Sequence, residues 1–418
     1  MLKNNYICAL DIGSSKISAV VAEIKKKKVS AVFFENAPVK GMKRGTIVNS
    51  IELVGSIEQA LNKLSAKSGI NIKFIYANIS GQDITTTHSH AIIPLAERGN
   101  KVIMPSDIQK VNEQARILGS NLEEEIIHQV PFSYSIDSKN KTLNPLGLYS
   151  HKLEVDLYLI CGKLAPIQSL IRAVNQAGFQ IKNLFFSGLA TAEAVFSSEL
   201  KKGENILCDI GSDITEILLF KDGSLRHIEV LAIGGDDLTN ALGDELKIPL
   251  ELAEDLKLTH ASIAEPSQID DTKEILIKKN NAYASVKQRS VVEIVTTKAK
   301  SMSEAIKDSI DKIVPGHQLN YVIAVGRTVL LEGFLEMLES TLGISVKLGH
   351  TANPDIISLL GRDDTLSRQK YLVYVTALGI ICQALQKERP QILSSYQPSP
   401  NLLVKAVNRV REMYQEYF

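Results

Sequence analysis

The sequence predicts a two-lobed α/β fold, each lobe a β-sheet flanked by helices. Three observations carry this. The chain has 418 residues, too many for one hydrophobic core. A strand-end signature occurs twice: Tyr6-Ile7-Cys8-Ala9-Leu10 runs into Asp11-Ile12-Gly13-Ser14-Ser15-Lys16, and Ile206-Leu207-Cys208 runs into Asp209-Ile210-Gly211-Ser212. The same order of strand, DIGS, strand, turn and strand follows in both halves, as two related lobes require.

Residues 6–35 read as strands joined through the lysine run 25–28, where a solvated hairpin tip is preferred to a lipid or nucleic-acid patch. A helix is predicted over 50–68, because Ile51, Val54, Ile57, Leu61 and Leu64 recur at helical spacing. A strand over 72–80 ends at Ser80-Gly81. Residues 84–165 change character: strand-like runs at 84–94 and 151–161 surround a helical piece at 105–118. Pro131, Asn144-Pro145 and Gly147 punctuate the loops. This block reads as an inserted subdomain. Helix 166–177, strand 181–186 and helix 189–199 follow. The second half brings strands at 205–210, 213–220 and 225–233, the last two joined at Lys221-Asp222-Gly223. Helices at 250–258 and 290–313 belong to a smaller insertion.

Composition narrows the function. Lys plus Arg is 47 and Asp plus Glu is 47, so no net field draws nucleic acid, and no nucleic-acid partner is expected. Cys8, Cys161, Cys208 and Cys382 sit in apolar segments without a CxxC pair and read as buried, reduced thiols. His88 and His90 share a strand face, but no Cys or acid is spaced to complete a metal site. No signal-length apolar stretch precedes Asp11, and the longest apolar run, 371–385, is short for a membrane span. A cytoplasmic protein is expected.

A tight turn between strands aims several backbone N–H groups one way. Gly13 permits close approach, Ser14 and Ser15 add donors, and such a nest suits phosphate oxygens. Asp11 stands where it can hold Mg²⁺ through water. Lys16 offers a point charge. The turn at Asp209, Gly211 and Ser212 grips from the other lobe, and Gly234-Gly235-Asp236 opens a helix whose N–H groups point toward the nucleotide. A single such turn is a common structural motif; two in matching contexts favour the nucleotide reading.

With these residues in view, the chain resembles the FtsA family, bacterial actin-like cell-division proteins related to actin, Hsp70 and sugar kinases. The likeness spans nearly the whole sequence. It includes Asp11 to Lys16, Lys40 to Gly45, Ile79-Ser80-Gly81, Glu125 to His128, Asn144 to Gly147, Leu153 to Asp156, Ile233 to Asp236, Pro249 to Glu254 and the ending Asn401 to Phe418. The resemblance implies subdomain 1A at 1–83 with 166–200 and 360–388, 1C at 84–165, 2A at 201–245 with 319–359, and 2B at 246–318. It adds a linker at 389–400 and an amphipathic membrane-targeting helix at 401–418. It implies ATP with Mg²⁺ between the lobes, extends the nucleotide site to Asp213, Thr215, Glu254, Lys257, Gly326, Arg327 and Thr328, and names no catalytic residue. It implies filaments of the chain itself, a cytoplasmic membrane face at the division site, the C-terminal tail of the tubulin-like ring protein FtsZ docked on 2B, and recruitment of other division proteins.

Three motifs depart from the family pattern. The second phosphate turn, usually D-I-G-G-G-T-T-D, reads Asp209-Ile210-Gly211-Ser212-Asp213-Ile214-Thr215-Glu216, losing two glycines and gaining an acid. The adenosine motif, usually T-G-G-G, reads Val325-Gly326-Arg327-Thr328, which leaves Arg327 two roles, stacking on adenine or pairing with a phosphate. The family's E-P-R segment reads Thr296-Thr297-Lys298. Weak ATP binding with slow or absent hydrolysis is the expectation.

In the tail, Leu402, Leu403, Ala406, Val407, Val410, Met413, Tyr414, Tyr417 and Phe418 fall within an arc of about 160° at about 100° per residue. Arg409 and Arg411 border it, where their heads reach lipid phosphates. A core-docking helix gives the same wheel; the proline-marked linker and bordering arginines favour the membrane. A PilM-like scaffold of type IV pilus assembly is the alternative, and it lacks such a tail. A sugar kinase needs a catalytic base that no loop clearly supplies. A chaperone needs a substrate domain after the second lobe.

Overall fold

The computed structural model describes residues 6–25, 28–96, 99–197, 202–264, 269, 272–279, 282–316, 319–351, 371–388 and 397–398. The expected linker at 389–400, apart from two residues, and the amphipathic helix at 401–418 lie outside them, as do residues 352–370.

The first lobe starts with β1 (Tyr6–Ile12), β2 (Lys16–Lys25) and β3 (Lys28–Pro38), followed by the short β4 (Met42–Lys43) and β5 (Thr46–Ile47). Next come α1 (Ser50–Ser68) and β6 (Phe74–Ile79). β1 is buried on both faces, and its side chains alternate with period two. Cys8, Leu10 and Ile12 join the core that contains Leu53, Ile57, Leu61 and Leu64 of α1. Ile7 and Ala9 join a second core that runs on into the other lobe. Asn49 caps α1 by accepting from Ile51 N and Glu52 N, and Gly69 ends it at φ 69°. Ile51, placed by spacing on the apolar face, is 82% exposed. Six residues separate it from Ile57, which puts it about 120° round the helix from the stripe that follows Leu53.

The inserted block holds β7 (Ile84–Pro94), β8 (Lys101–Val102), α2 (Pro105–Leu118), β9 (Glu124–Ile136), β10 (Asn140–Thr142), β11 (Tyr149–Ser150) and β12 (Lys152–Lys163). Its sheet runs β10-β9-β12-β7, and α2 sets Val111 and Ala115 into the core against Leu153, Val155 and Leu157. Pro131, read from sequence as loop punctuation, lies inside β9. The ladder with β12 slips there, Ser133 facing Asp156 and Pro131 facing Leu157. A proline has no N–H for the ladder, and a bulge accommodates it.

α3 (Leu164–Gln176), β13 (Gln180–Phe186) and α4 (Ser187–Val195) complete the first lobe. α4 stops short of the predicted 199: Phe196 leaves the helix at ψ 111° and packs on Phe220, ring centroids 4.8 Å apart. The second lobe has β14 (Glu204–Ile210), β15 (Thr215–Lys221), β16 (Ser224–Leu231), α5 (Gly235–Leu246) and α6 (Leu250–His260). It continues with β17 (Glu274–Lys279), β18 (Ala282–Lys287), α7 (Gln288–Ile313), β19 (Leu319–Val325), α8 (Phe334–Leu342) and β20 (Val346–Leu348). Asp222 and Gly223 close the β15–β16 hairpin with φ of 49° and 75°, as a two-residue turn of right-handed twist requires. The final helix is α9 (Val375–Glu388), and β21 (Gln397–Pro398) pairs with Gln129 and His128 on the edge of β9.

The two main sheets have one topology. The first runs β3-β2-β1-β6-β13 and the second β16-β15-β14-β19-β20. α4 and α9 pack between them, so that Ala190, Ala194, Ala377 and Ile381 share a core with Cys208, Ile210 and Leu218. The repeated strand ends therefore face each other across the helix pair. All four cysteines are buried and none forms a disulfide, and no helix among the described residues is long and apolar enough to cross a membrane.

Candidate functional site

The two signature turns close alike. Gly13 N donates to Lys16 O at 2.9 Å, and Gly211 N donates to Ile214 O at 2.9 Å. Each joins two antiparallel strands one residue beyond an aspartate's neighbour, so Asp11 and Asp209 stand at matching strand ends. Both line a cavity of about 110 Å³ between the lobes, with Gly13, Ser14, Ser15, Lys16, Gly211, Ser212, Asp213, Gly326 and Arg327 around it.

Four acids (Asp11, Asp209, Asp213, Glu216) and two cations (Lys16, Arg327) line this cavity. Burial raises the Asp11 carboxyl, and the nearby Lys16 charge opposes the shift. Asp209 is pushed up to about 6 by burial and by Asp11. Glu216 goes up to about 8 by burial and by Asp209. Lys16 is pulled down to about 8 by burial. Its Nζ donates to Ser18 Oγ at 3.1 Å and to the Val373 carbonyl. Asn78 orients Asp11, its Nδ2 donating to Oδ1 at 2.8 Å.

Three hydrogen bonds cross the cleft between residues that line it or flank its lining. Arg44 N donates to Asp213 Oδ2 at 2.7 Å, Ser80 Oγ to Glu216 Oε1 at 2.6 Å, and Arg327 Nη2 to Ser15 Oγ at 3.2 Å. Gly45 N, beside Arg44, donates to Ser14 Oγ at 3.1 Å. Asp213 thus turns its charge toward a backbone N–H of the other lobe.

A second cavity, of about 410 Å³, adjoins the first and shares Ser212 and Arg327 with it. Gly235, Asp236, Glu254, Lys257 and Thr328 line it. Lys257 Nζ donates to Gly235 O at 3.0 Å, Thr239 Oγ1 at 2.7 Å and Glu254 Oε2 at 2.6 Å, which holds α6 against the start of α5. Asp236 is pushed up to about 6 by burial and by Asp213.

Two expectations from sequence need correcting. The helix-opening N–H groups are not open to the cleft: Gly235 N donates to Gly211 O at 2.9 Å, Asp236 N to Ser212 O at 2.7 Å, and Gly234 N to Asp237 Oδ2 at 2.9 Å. A Cβ on Gly234 would stand 2.4 Å from Ser212 O, so the helix start is pressed onto the second turn as its scaffold. Thr215 is fully buried and donates to Ile233 O at 2.9 Å, away from the cavity. Conversely Gly45, Asn78, Ser80, Ser187, Glu216 and Thr376 line the cleft without having been chosen from sequence. Gly45, Ser80 and Glu216 left a trace there, as members of quoted motifs.

Known proteins are similar to this chain along most of its length. A family model described as "Cell division protein FtsA" matches residues 206–374, and one described as "SHS2 domain inserted in FTSA" matches 81–161, together more than half of the chain. The cell division protein FtsA of Pseudomonas aeruginosa is 25% identical over 389 residues, covering 91% of this chain and 90% of that protein. That of Bacillus subtilis is 25% identical over 397 residues, covering 94% and 86%. Among solved structures, the PilM-PilN type IV pilus biogenesis complex matches with a TM-score of 0.63 at 15% identity, covering 91% of this chain and 98% of that one. MreB5 of Spiroplasma citri bound to ADP matches with a TM-score of 0.54 at 10% identity, covering 93% and 99%. At such identities the structures speak to the fold alone.

Proposed function

The chain belongs to the FtsA cell-division family and has the actin-like fold, and from that premise we propose that it binds ATP between its lobes, polymerises at the membrane and tethers the FtsZ ring there. The observation that carries the nucleotide reading is the pair of like turns, Gly13–Lys16 and Gly211–Ile214, on one cavity with Asp11 and Asp209. Ser14, Ser15 and Ser212 hold the phosphates, and the cavity of about 410 Å³ takes the base and ribose. Among the described residues no three His, Cys, Asp or Glu side chains converge on a metal position. The donor set is nevertheless hard and oxygen-only, which suits an Mg²⁺ held through water beside Asp11. Mg²⁺ would neutralise the phosphates against the surplus of acids. Weak binding with slow or absent hydrolysis follows from those acids and from the altered second turn. Titration of a fluorescent ATP analogue with Mg²⁺ tests this; tight binding with brisk phosphate release overturns the weak-binding reading, and no binding at millimolar nucleotide overturns the site.

Residues 401–418 form the membrane anchor in this reading. Each apolar side chain contributes less than the roughly 1.5–3 kcal/mol of full burial, so one tail binds reversibly and a filament of many tails binds firmly. Sedimentation with liposomes of the full chain and of residues 1–395 tests it, equal pelleting being the contrary result. The 246–318 region is the proposed dock for the FtsZ tail, with other division proteins recruited elsewhere. A pilus scaffold of the PilM kind shares the fold; the FtsA family models and the tail favour the division role.

A further inference from the structure

Arg327 stands where the family pattern has glycine, and its backbone is fixed on both sides. Gly326 before it has φ 94° and lies so close to the second turn that a Cβ would stand 2.2 Å from Ile210 O. Thr328 after it donates from Oγ1 to Gly211 O at 2.9 Å, and Leu330 N donates to Arg327 O at 3.1 Å. The side chain, in contrast, is exposed. Among the described residues its one hydrogen-bond partner is the neutral hydroxyl Ser15 Oγ at 3.2 Å, on the opposite lobe. A rigid mount thus carries a lightly held guanidinium.

Its position is specific. Arg327 lines both cavities, at the seam where the phosphate side meets the larger pocket. It is one of two cations on the phosphate cavity, facing four acids. The other, Lys16, is already engaged by Ser18 and the Val373 carbonyl. The planar fork of a guanidinium matches phosphate oxygens in pairs, and two parallel bonds to an anion outweigh a single bond to a neutral hydroxyl.

Resting on the nucleotide reading above, we propose that Arg327 is the residue by which this chain selects nucleoside di- and triphosphates, leaving Ser15 to pair with the phosphate chain and offsetting the acid that Asp213 adds to the second turn. It is a phosphate reader and not a platform for the base. The same seam could seat adenine against the guanidinium plane, and the two roles part company when the ligand is shortened.

Binding of ATP, ADP, AMP and adenosine, each with Mg²⁺, to the full chain and to R327A and R327K provides the test. The exposed side chain with one neutral partner makes both variants safe for folding, which their melting temperatures check. In R327A the affinities for ATP and ADP fall on the order of 10- to 100-fold, while adenosine changes less than about 3-fold; R327K is intermediate, because an ammonium lacks the fork. Equal losses for ATP and adenosine overturn the proposal in favour of base stacking. Unchanged ATP affinity in R327A overturns it outright while leaving the nucleotide site intact. Failure of the unmodified chain to bind any of the four overturns the site and this role together.

Discussion

Ser80 and Glu216 meet across the interlobe cleft, Ser80 Oγ donating to Glu216 Oε1 at 2.6 Å. Ser80 follows β6 of the first lobe, and Glu216 lies on β15 of the second, where it pairs in register with Asp209. The carboxyl is 3% exposed and raised to about 8, chiefly by burial. A protonated carboxyl still accepts from the serine, so the contact fits a neutral Glu216.

This has a consequence for pH. The folded state holds a proton on Glu216 that the unfolded chain, near 4.5, releases. The stabilisation is complete below about 4.5 and is lost as pH rises toward about 8. Asp209 acts likewise between its model-peptide range and about 6. Between pH 6 and 8 the chain should lose roughly 2 kcal/mol through Glu216. E216Q keeps an acceptor for Ser80 and removes the proton, so the difference between the two chains should close and then reverse across that interval. Denaturant unfolding at pH 6, 7 and 8 reads it, and parallel curves would show that Glu216 does not titrate there.

Lys16 gives a second pH prediction, on binding. Its ammonium is pulled down to about 8 by burial, so at pH 8 about half the molecules lack the charge. A phosphate beside it restores the proton. ATP binding should therefore take up protons near pH 8, and affinity should fall as pH rises from 7 to 9. In K16R the group stays charged and this uptake should shrink. Calorimetry in buffers of differing ionisation enthalpy measures the uptake; identical values for both chains would assign it to another group.

Much of the frame was legible because it rests on local pattern. α1 spans Ser50–Ser68 as the spacing predicts, and Asn49 and Gly69 mark its ends. The duplicated strand ends give the lobes because an apolar run stopping at Asp-Ile-Gly is a local event. β9 was hidden because Pro131 reads as a breaker, and only a partner strand with a bulge makes it tolerable. The cleft's inner ring was hidden for a different reason. Ser80 and Glu216 are 136 residues apart, and Arg44 meets Asp213 at a separation of 169. No periodicity encodes such pairings. The Gly-Gly-Asp helix start misled because the N–H groups of Gly235 and Asp236 satisfy carbonyls of the second turn and that of Gly234 the Asp237 carboxylate, a choice fixed by packing.

Two glycines on helices should respond in opposite ways to alanine. Gly379 on α9 lies against α4, where a Cβ would stand 1.7 Å from Ala190 O and 2.4 Å from its carbonyl carbon. Backbone cannot yield as a side chain can, so G379A should cost at least about 3 kcal/mol or prevent folding. Gly55 in α1 has open space at its Cβ position. G55A should add roughly 0.5–1 kcal/mol through helix propensity. Thermal melts of both variants check the pair; a neutral G379A would mean that the two helices can part without cost.

The inserted block is also strapped to the second lobe. Arg226 on β16 places its guanidinium 4.2 Å from the centroid of the Phe132 ring and donates from Nη1 to Phe132 O at 3.0 Å. Phe132 is the residue skipped by the ladder between Pro131 and Ser133, so the bulge supplies both the ring and the unpaired carbonyl. Val130 and Tyr158 of the block share a core with Leu225 and Ile228 of the lobe, which continues the contact inward. Stacking and hydrogen bonding at once need the flat guanidinium, so R226K should lose nearly as much as R226A, about 1–2 kcal/mol. F132A should remove the stacking half, and a double-mutant cycle of R226A with F132A should return a coupling of about 0.5–2 kcal/mol. Hydrogen exchange should rise in β9 and β16 together in either single variant, because each strand shields the other at this point. Additive losses, or faster exchange confined to one strand, would mean that the block and the lobe touch there without holding each other.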